Sequence, residues 1–281
     1  MQTAILTLSC PDKPGLVSGI SGFIHLNHGN ILSLNEFVDS DTKTFFLRLE
    51  WDLEKFDTNK LDREFKEQMN EIDASWEIHF SEEKIKLALF VSKFDHCLRD
   101  ILWRHTMGEF KADIPLIISN HEEMVEIADR YHIPFHYFPI TKENKKSQEK
   151  AELKILEENN IHTIILARYM QVLSPEFVSK YPNRILNIHH SFLPAFIGGN
   201  PYRQAFERGV KTIGGTSHFV TKDLDEGPII VQSTANISHR DTVKDLIRKG
   251  RDLERQVLSK AVKLQVERRV LVSGHKTVVF E

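Results

Sequence analysis

Cysteine is nearly absent from this chain: its 281 residues include two, Cys10 and Cys97. Two thiols cannot build a disulfide framework or a four-thiolate zinc centre, so both are expected as ordinary buried thiols of a cytoplasmic protein. Long apolar runs are missing as well. No stretch approaches the roughly 18 residues that a membrane span needs. The opening MQTAILTLSCPDKPG has neither a basic flank nor a long apolar run, which predicts no signal peptide. Neither sign of charge dominates, with 37 basic against 40 acidic residues and a net charge of −3. No segment is strongly basic, so the footprint of a nucleic-acid partner is lacking. Internal repeats and low-complexity segments are absent too. What the chain does have is core material, 41% hydrophobic residues, at a length that fits one large domain or two ordinary ones.

The first 80 residues read as one small unit. Residues 3–10 form a strand pattern. Leu16, Ile20 and Ile24 then fall at i, i+4 and i+8, one face of a helix. Asp12 is placed to cap that helix, Pro14 to enter its first turn and Gly29 to end it. NILSLNEFVDS and TKTFFLRLEWD read as two strands joined by a polar turn at 39–43. A helix carrying Leu61, Phe65 and Met69 follows, and SWEIHF closes as a strand. The order is β-α-β-β-α-β, the ferredoxin-like arrangement.

A short charged hinge at 81–84 marks the expected boundary, giving domains 1–82 and 84–281. Beyond it strands and helices alternate: KIKLALFVS, HCLRDILWRHTMG, ADIPLIISN, HEEMVEIADRYH, PFHYFPI, a charge-rich helix over 144–160, then IHTIILARYM. SPEFVSKYP is a short helix with Ser174 as N-cap and Pro175 in its first position. NRILNIHH is the next strand. This rhythm predicts an α/β domain with a Rossmann-like, mostly parallel sheet. Two extended segments around an acidic loop follow, and then a terminal helix from Thr242 to about Ser273. The mixed charges of 142–158 read as a solvated helix face.

The chemistry concentrates where a buried strand should end, and strand ends are where open α/β sheets bind ligands. There the chain reads Asn187-Ile188-His189-His190-Ser191. Asn187 offers a neutral donor for an oxygen gaining negative charge. His189, two residues on, shares its side of an extended chain and can carry a proton near neutral pH. His190 faces the other way unless the strand has already ended. Ser191 returns to the Asn/His side but makes no activated pair with a His two residues away. Two adjacent His could ligate a metal, but no Cys pair or HExxH helix supports one, and no metal is expected. A second polar cluster, HFVTKDLDEGPII, holds His218, Asp223, Asp225 and Glu226. One of these acids could meet His189 and hold its tautomer. Spacing alone does not select which.

These residues carry a resemblance. Asn187, His189, Ser191 and Leu193-Pro194 resemble the N-x-H-x-S-x-L-P signature of the folate-dependent formyltransferase superfamily. HFVTKDLDEGPII resembles its second motif, in which Asp225 matches the catalytic aspartate, and LARYMQVLSPEFV resembles the segment lining the folate pocket. Residues 84 to about 273 are covered. NIHHSFLPAFIGG and GNPYRQAFERGVKTIGGTSHFV are in the style of its formyltetrahydrofolate deformylase branch. PDKPGLVSGISGFI resembles an ACT domain, which that branch carries. Where the nucleotide formyltransferases hold a phosphate in a Gly-rich loop at a helix start, this chain reads VSKFDHCLRD, without Gly. The resemblance thus implies that water replaces the amine acceptor.

The implied reaction is hydrolysis of 10-formyltetrahydrofolate to formate and tetrahydrofolate, which supplies formate for purine synthesis and balances the one-carbon pool. In it Asn187 and protonated His189 stabilise the oxyanion. Asp225 positions the water, takes its proton and sets the state of His189, with His218, His190 and Ser191 in support. Met170, Val172, Leu173, Thr221 and Leu224 hold the pterin, and no cofactor beyond the folate substrate is required. The ACT resemblance implies an amino-acid effector at Asp12, Gly15, Leu16, Asn30 and Ile31, and a homo-oligomer. Two other readings stand beside this one: a formyltransferase using an amine acceptor, and an amino-acid sensor without turnover.

Overall fold

Alternation of buried and half-buried residues along β1 (Thr3–Pro11) makes it a strand with one face committed to a core. The structure, a computed structural model, describes residues 2–194 and 201–281. After β1 come α1 (Leu16–Leu26), β2 (Ile31–Asp39), β3 (Thr44–Asp52), a π-helical turn at Leu61–Phe65 that runs into α2 (Lys66–Glu71), and β4 (Ser75–Phe80). The sheet order is β2-β3-β1-β4, and its pairings are antiparallel. Leu16, Ile20 and Ile24 all turn inward, as their spacing predicts, and meet Leu6, Leu8, Leu47, Phe65 and Met69. This is the expected ferredoxin-like unit.

The ends of α1 differ from expectation. Gly15, at φ 91°, is the N-cap, and the cap has no side-chain hydrogen bond. Asp12 instead donates its backbone N–H to the carbonyl of Lys43 at 2.8 Å, which ties it to the hairpin turn and away from the helix. At the other end His28 takes the left-handed conformation. Gly29 serves packing: a Cβ there would stand 2.6 Å from Ile24 Cγ2 and 2.9 Å from Phe56 Cδ2.

The second sheet is built from β5 (Ile85–Val91), β6 (Ala112–Ser119), β7 (Phe135–Tyr137), β8 (Thr163–Leu166), β9 (Ile185–His189), β10 (Thr212–Phe219) and β11 (Ile229–Asn236), in the order β11-β10-β9-β8-β5-β6-β7. The pairings from β9 through β7 are parallel, and β10 runs antiparallel to both its neighbours. β5 and β8 are almost wholly buried, the mark of parallel strands covered on both faces. The helices are α3 (His96–Thr106), α4 (Val125–Arg130), α5 (Lys145–Glu158), α6 (Pro175–Lys180), α7 (Pro201–Arg208) and α8 (Val243–Val266). Ser174 caps α6 by accepting the N–H of Phe177, and Thr242 and Asp245 form a capping box at α8.

Two expectations about elements are corrected. The sequence pattern does not announce α7. α8 ends at Val266 and is followed by a hairpin, β12 (Val270–Ser273) and β13 (Lys276–Val279). The chain forms two compact units, residues 1–84 with 268–273 and 278–281, and 85–267 with 274–277. Among the described residues no helix is long and apolar enough to cross a membrane.

The charge-rich helix also departs from a solvated reading. On α5, Glu149 and Glu152 are buried. Glu149 accepts the N–H of Ser174 at 3.0 Å, and Glu152 accepts the Tyr169 hydroxyl at 3.2 Å. Burial pushes the Glu152 carboxyl up to about 7. The native state therefore holds this proton more tightly than the unfolded chain. Stability falls as pH rises from the ordinary carboxylate value to about 7, by on the order of 3 kcal/mol. Glu152→Gln should remove that slope. Denaturant unfolding at pH 5 and pH 8 checks this, and an unchanged difference between the two pH values would count against it.

Candidate active site

β9 ends at His189, and its last residues face β10 in register, His218 opposite Asn187 and Thr216 opposite His189. The antiparallel strand thus lays one polar residue beside each polar residue of β9. Asn187 Nδ2 lies 3.2 Å from His218 Nε2. His218 Nδ1 sits 2.9 Å from the carbonyl oxygen of Phe219, which can only accept, so Nδ1 carries the hydrogen. His218 Nε2 is then left to accept from the Asn187 amide. This turns the NH₂ toward the site and spends one of its two N–H groups.

The acidic loop between β10 and β11 supplies the next group. Asp225 adopts φ 58°, a left-handed conformation that few side chains tolerate and that aims this acid back at the sheet. Its Oδ2 is 3.1 Å from His189 Nδ1, and its Oδ1 is 3.6 Å from His218 Nε2. Burial pushes the Asp225 carboxyl up, but its contacts with the His189 and His218 rings outweigh it and hold the group well below the usual carboxylate range. Asp223 and Glu226 are exposed. Geometry selects the acid that spacing could not.

His189 is 6% exposed, and its Nε2 is buried with no hydrogen-bond partner. A buried ring nitrogen without a partner is costly and points to a ligand atom that would satisfy it. His190 follows the strand end, so it does not point to the opposite face. Its ring lies 5.1 Å from that of His189 and 6.0 Å from that of Tyr202. Burial and the nearby positive Arg168 push His190 down to about 4, leaving it neutral near pH 7.

Ser191 is buried, and its carbonyl accepts the Thr216 hydroxyl at 2.9 Å. Thr216 also accepts from Leu193 N and from Gln232 Nε2, so β10 and β11 brace the chain leaving β9. Residues 195–200, the tail of the NIHHSFLPAFIGG motif and the first two positions of GNPYRQ, lie outside the described residues. Of the expected pterin contacts, Met170, Val172 and Leu224 are apolar side chains more than half exposed. Leu173 is instead buried in the sheet core. The Thr221 hydroxyl donates to the Asp223 carbonyl and shapes the acidic loop. Lys145 donates to the Val172 carbonyl, and Met170 N donates to Ser92 Oγ, which fixes the segment after β8.

A cluster outside the sequence expectations lies behind His190. Glu254 of α8 is buried and accepts from His96 Nε2 at 2.7 Å and from the Tyr202 hydroxyl at 2.5 Å, with Arg168 Nε at 3.4 Å. His96, Cys97 and Glu254 could bring metal-ligating atoms within 4.8 Å of one another. That carboxylate is already engaged by two donors and a guanidinium, and burial pushes the Cys97 thiol well up, away from the thiolate a metal needs. The trio suits a hydrogen-bonded knot paired with Arg168 better than a bound cation. In the VSKFDHCLRD stretch, Phe94 lies under the guanidinium groups of Arg168 and Arg251, at 5.2 and 5.7 Å.

Comparison with known proteins places this geometry in a family. The formyl transferase family matches residues 85–262. A formyltetrahydrofolate deformylase of Synechocystis sp. is 52% identical over 99% of this chain and 98% of its own. The chain belongs to the formyltetrahydrofolate deformylase family. Solved structures agree over the full length. The formyltetrahydrofolate deformylase of Burkholderia mallei has a TM-score of 0.96 at 43% identity and covers 100% of both chains. That of Pseudomonas syringae pv. tomato has a TM-score of 0.97 at 37% identity, covering 100% of this chain and 95% of the other. In this chain Asn187 and His189 close β9, and Asp225 meets His189 from the loop after β10.

Proposed function

We propose that the protein hydrolyses 10-formyltetrahydrofolate to formate and tetrahydrofolate, with water as the acceptor. The observation that carries this reading is the His189 ring, two residues along β9 from Asn187, with Nδ1 committed to Asp225 and Nε2 buried without a partner. A formyl oxygen placed between Nε2 and the remaining Asn187 N–H receives two donors as it gains charge. Water attacks the formyl carbon, and the new C–O bond forms as the carbonyl electrons move onto that oxygen. Asp225, ionised through its hydrogen bonds, accepts the water's hydrogen bond. So acidic a carboxyl relays the proton and does not keep it. When the intermediate collapses, the bond from carbon to N10 breaks and N10 takes a proton. His189 holds its own proton for the oxyanion. His218 orients the Asn187 amide, and the exposed Met170, Val172 and Leu224 offer apolar cover for the pterin. Each step uses hydrogen bonds alone and calls for no metal.

Purified protein supplied with 10-formyltetrahydrofolate and no amine should release formate catalytically. Release that begins only when an amine is added would overturn the hydrolase in favour of a formyltransferase.

The N-terminal unit supports a second role, binding of a small amino acid. A cavity of about 320 Å³ opens where β1 meets α1, lined by Asp12, Gly15, Leu16, Ser18, Glu36 and Phe45 among others. Asn30 and Ile31 do not line it. Asp12 and Glu36 suit an ammonium group. Calorimetric titration with single amino acids should find one that binds, and Asp12→Ala should weaken it. Absence of heat from every amino acid at millimolar concentration would leave this unit a pairing module for a homo-oligomer.

A further inference from the structure

We propose that Glu254, acting through Tyr202, is a positioning residue of the reaction that holds the His190 ring against the His189 ring. The idea rests on the hydrolase reading for its catalytic consequence, but the contact it describes is independent of that reading.

Four observations carry it. First, Glu254 lies on the apolar stripe of α8, in line with Gly250, Leu253, Val257 and Leu258, where a carboxylate is costly unless fully satisfied. Second, two hydrogen-bond donors and one positive charge meet it. His96 opens α3 after β5, Arg168 follows β8 in a left-handed conformation, and Tyr202 comes from α7. One side chain thus ties together the ends of two strands and the start of a helix. Third, α8 is cut to admit the tyrosine. A Cβ at Gly250 would lie 2.1 Å from the Tyr202 hydroxyl, so only glycine leaves that oxygen a path to Glu254. A glycine inside a helix costs about 1 kcal/mol, and the close approach is what it serves here. Fourth, the Tyr202 ring stands against His190, and His190 against His189.

The arrangement explains how His189 is fixed. Asp225 holds one edge of its ring, at Nδ1, and leaves the ring free to swing about that bond. His190 supplies the second constraint. The groups facing His190 are His189 beside it, Asp225 from the acidic loop, Arg168 after β8, Tyr202 from α7 and Glu254 from α8. Arg168 disfavours an imidazolium at His190 and Glu254 favours one. With burial added, the ring stays neutral, so it braces His189 without repelling the proton that His189 must carry. Glu254 itself is kept ionised: burial would raise it, but the His96 bond, the Arg168 charge and the Tyr202 bond bring it below its ordinary value.

The test uses two variants and two readouts in the full-length protein. Glu254→Gln keeps the shape and removes the charge. Tyr202→Phe removes one oxygen and covers the case in which Glu254→Gln does not fold. Misplacing a catalytic ring by about 1 Å can cost about 10²-fold. Formate release should therefore fall about 10- to 100-fold in kcat in each variant, with KM within about threefold. In Glu254→Gln the alkaline limb of the kcat profile should also move to lower pH, because Arg168 is no longer balanced. In Tyr202→Phe it should stay in place. A merely structural role would lower the folded fraction without moving that limb. The second readout needs no activity. Histidine-ring NMR should find His190 titrating near 4 in the wild-type protein, and higher in Arg168→Gln. Wild-type kcat in both variants, or a His190 ring that titrates like a free imidazole, would overturn the proposal. Absence of formate release from the wild type would instead overturn the hydrolase reading, and the ring titration would still decide the contact.

Discussion

Asp225→Asn lowers formate release by about 10³- to 10⁴-fold, the scale seen when the carboxylate behind a catalytic histidine becomes an amide. The substitution keeps the size of the side chain and the left-handed turn that Asn tolerates well. What changes is the charge 3.1 Å from His189 Nδ1 and 3.6 Å from His218 Nε2. An amide can turn its NH₂ toward Nδ1. His189 would then carry its hydrogen on Nε2 as a neutral ring with no counter-charge for an imidazolium. Donation to the formyl oxygen weakens, and the water loses its acceptor. Folding should survive. The same carboxylate also links stability to pH. Its folded pKa is depressed, so its contribution is complete above the unfolded value near ~3.9 and is lost as pH falls toward the folded one. Acidification below about pH 4 should therefore cost the wild type more stability than it costs Asp225→Asn. Steady-state formate release at pH 7 and thermal melts at pH 3 and 7 measure both effects. Activity within tenfold of wild type would remove Asp225 from the mechanism.

The sequence is legible where periodicity and steric rules act locally. Leu16, Ile20 and Ile24 announce a helix face because a 3.6-residue repeat brings i, i+4 and i+8 to one side. Ser174-Pro175 announces a helix start for equally local reasons. Asn187 and His189 share a side because an extended chain alternates. Their partners were not legible in this way. Asp225, Asp223 and Glu226 are equivalent in composition, and only the φ of 58° and the antiparallel pairing of β10 with β9 bring Asp225 to His189. Here the family motif supplied what spacing did not.

Most of what the sequence hides has one physical cause, which is polar groups satisfied over long sequence distances. Glu149 and Glu152 look like members of a solvated charge run until Ser174 and Tyr169 are seen to occupy them. Glu254 looks like any charged residue of a long helix, although its place on the apolar stripe was a signal that could have been read. Thr216 and Gln232, which brace the chain after β9, carry no motif at all. The helix end at Val266 was overrun because the charged pattern continues into a hairpin strand. Asp12 failed as a cap because the turn at Lys43 took its backbone. Around the reaction centre the donors were visible in the sequence, and what holds those donors still was not.

Asn187→Ala should lower kcat by about 10²- to 10³-fold while KM stays within about threefold. The argument follows the hydrogens of one amide. His218 Nε2 takes one N–H at 3.2 Å, and the tautomer of His218 is fixed in turn by the Phe219 carbonyl at 2.9 Å. The second N–H is what the formyl oxygen meets as its charge develops. A ground-state carbonyl is a weaker acceptor than an oxyanion, so the lost interaction belongs to the transition state and appears in kcat. Removing the amide also leaves His218 Nε2 without its donor. His218→Ala should therefore reproduce part of the loss, about tenfold to a hundredfold, by letting the Asn187 amide rotate. The double variant should lose less than the product of the two, because one hydrogen bond joins them. If Asn187→Ala raised KM and left kcat alone, the amide would be a substrate-binding group only, and the oxyanion would depend on His189 by itself.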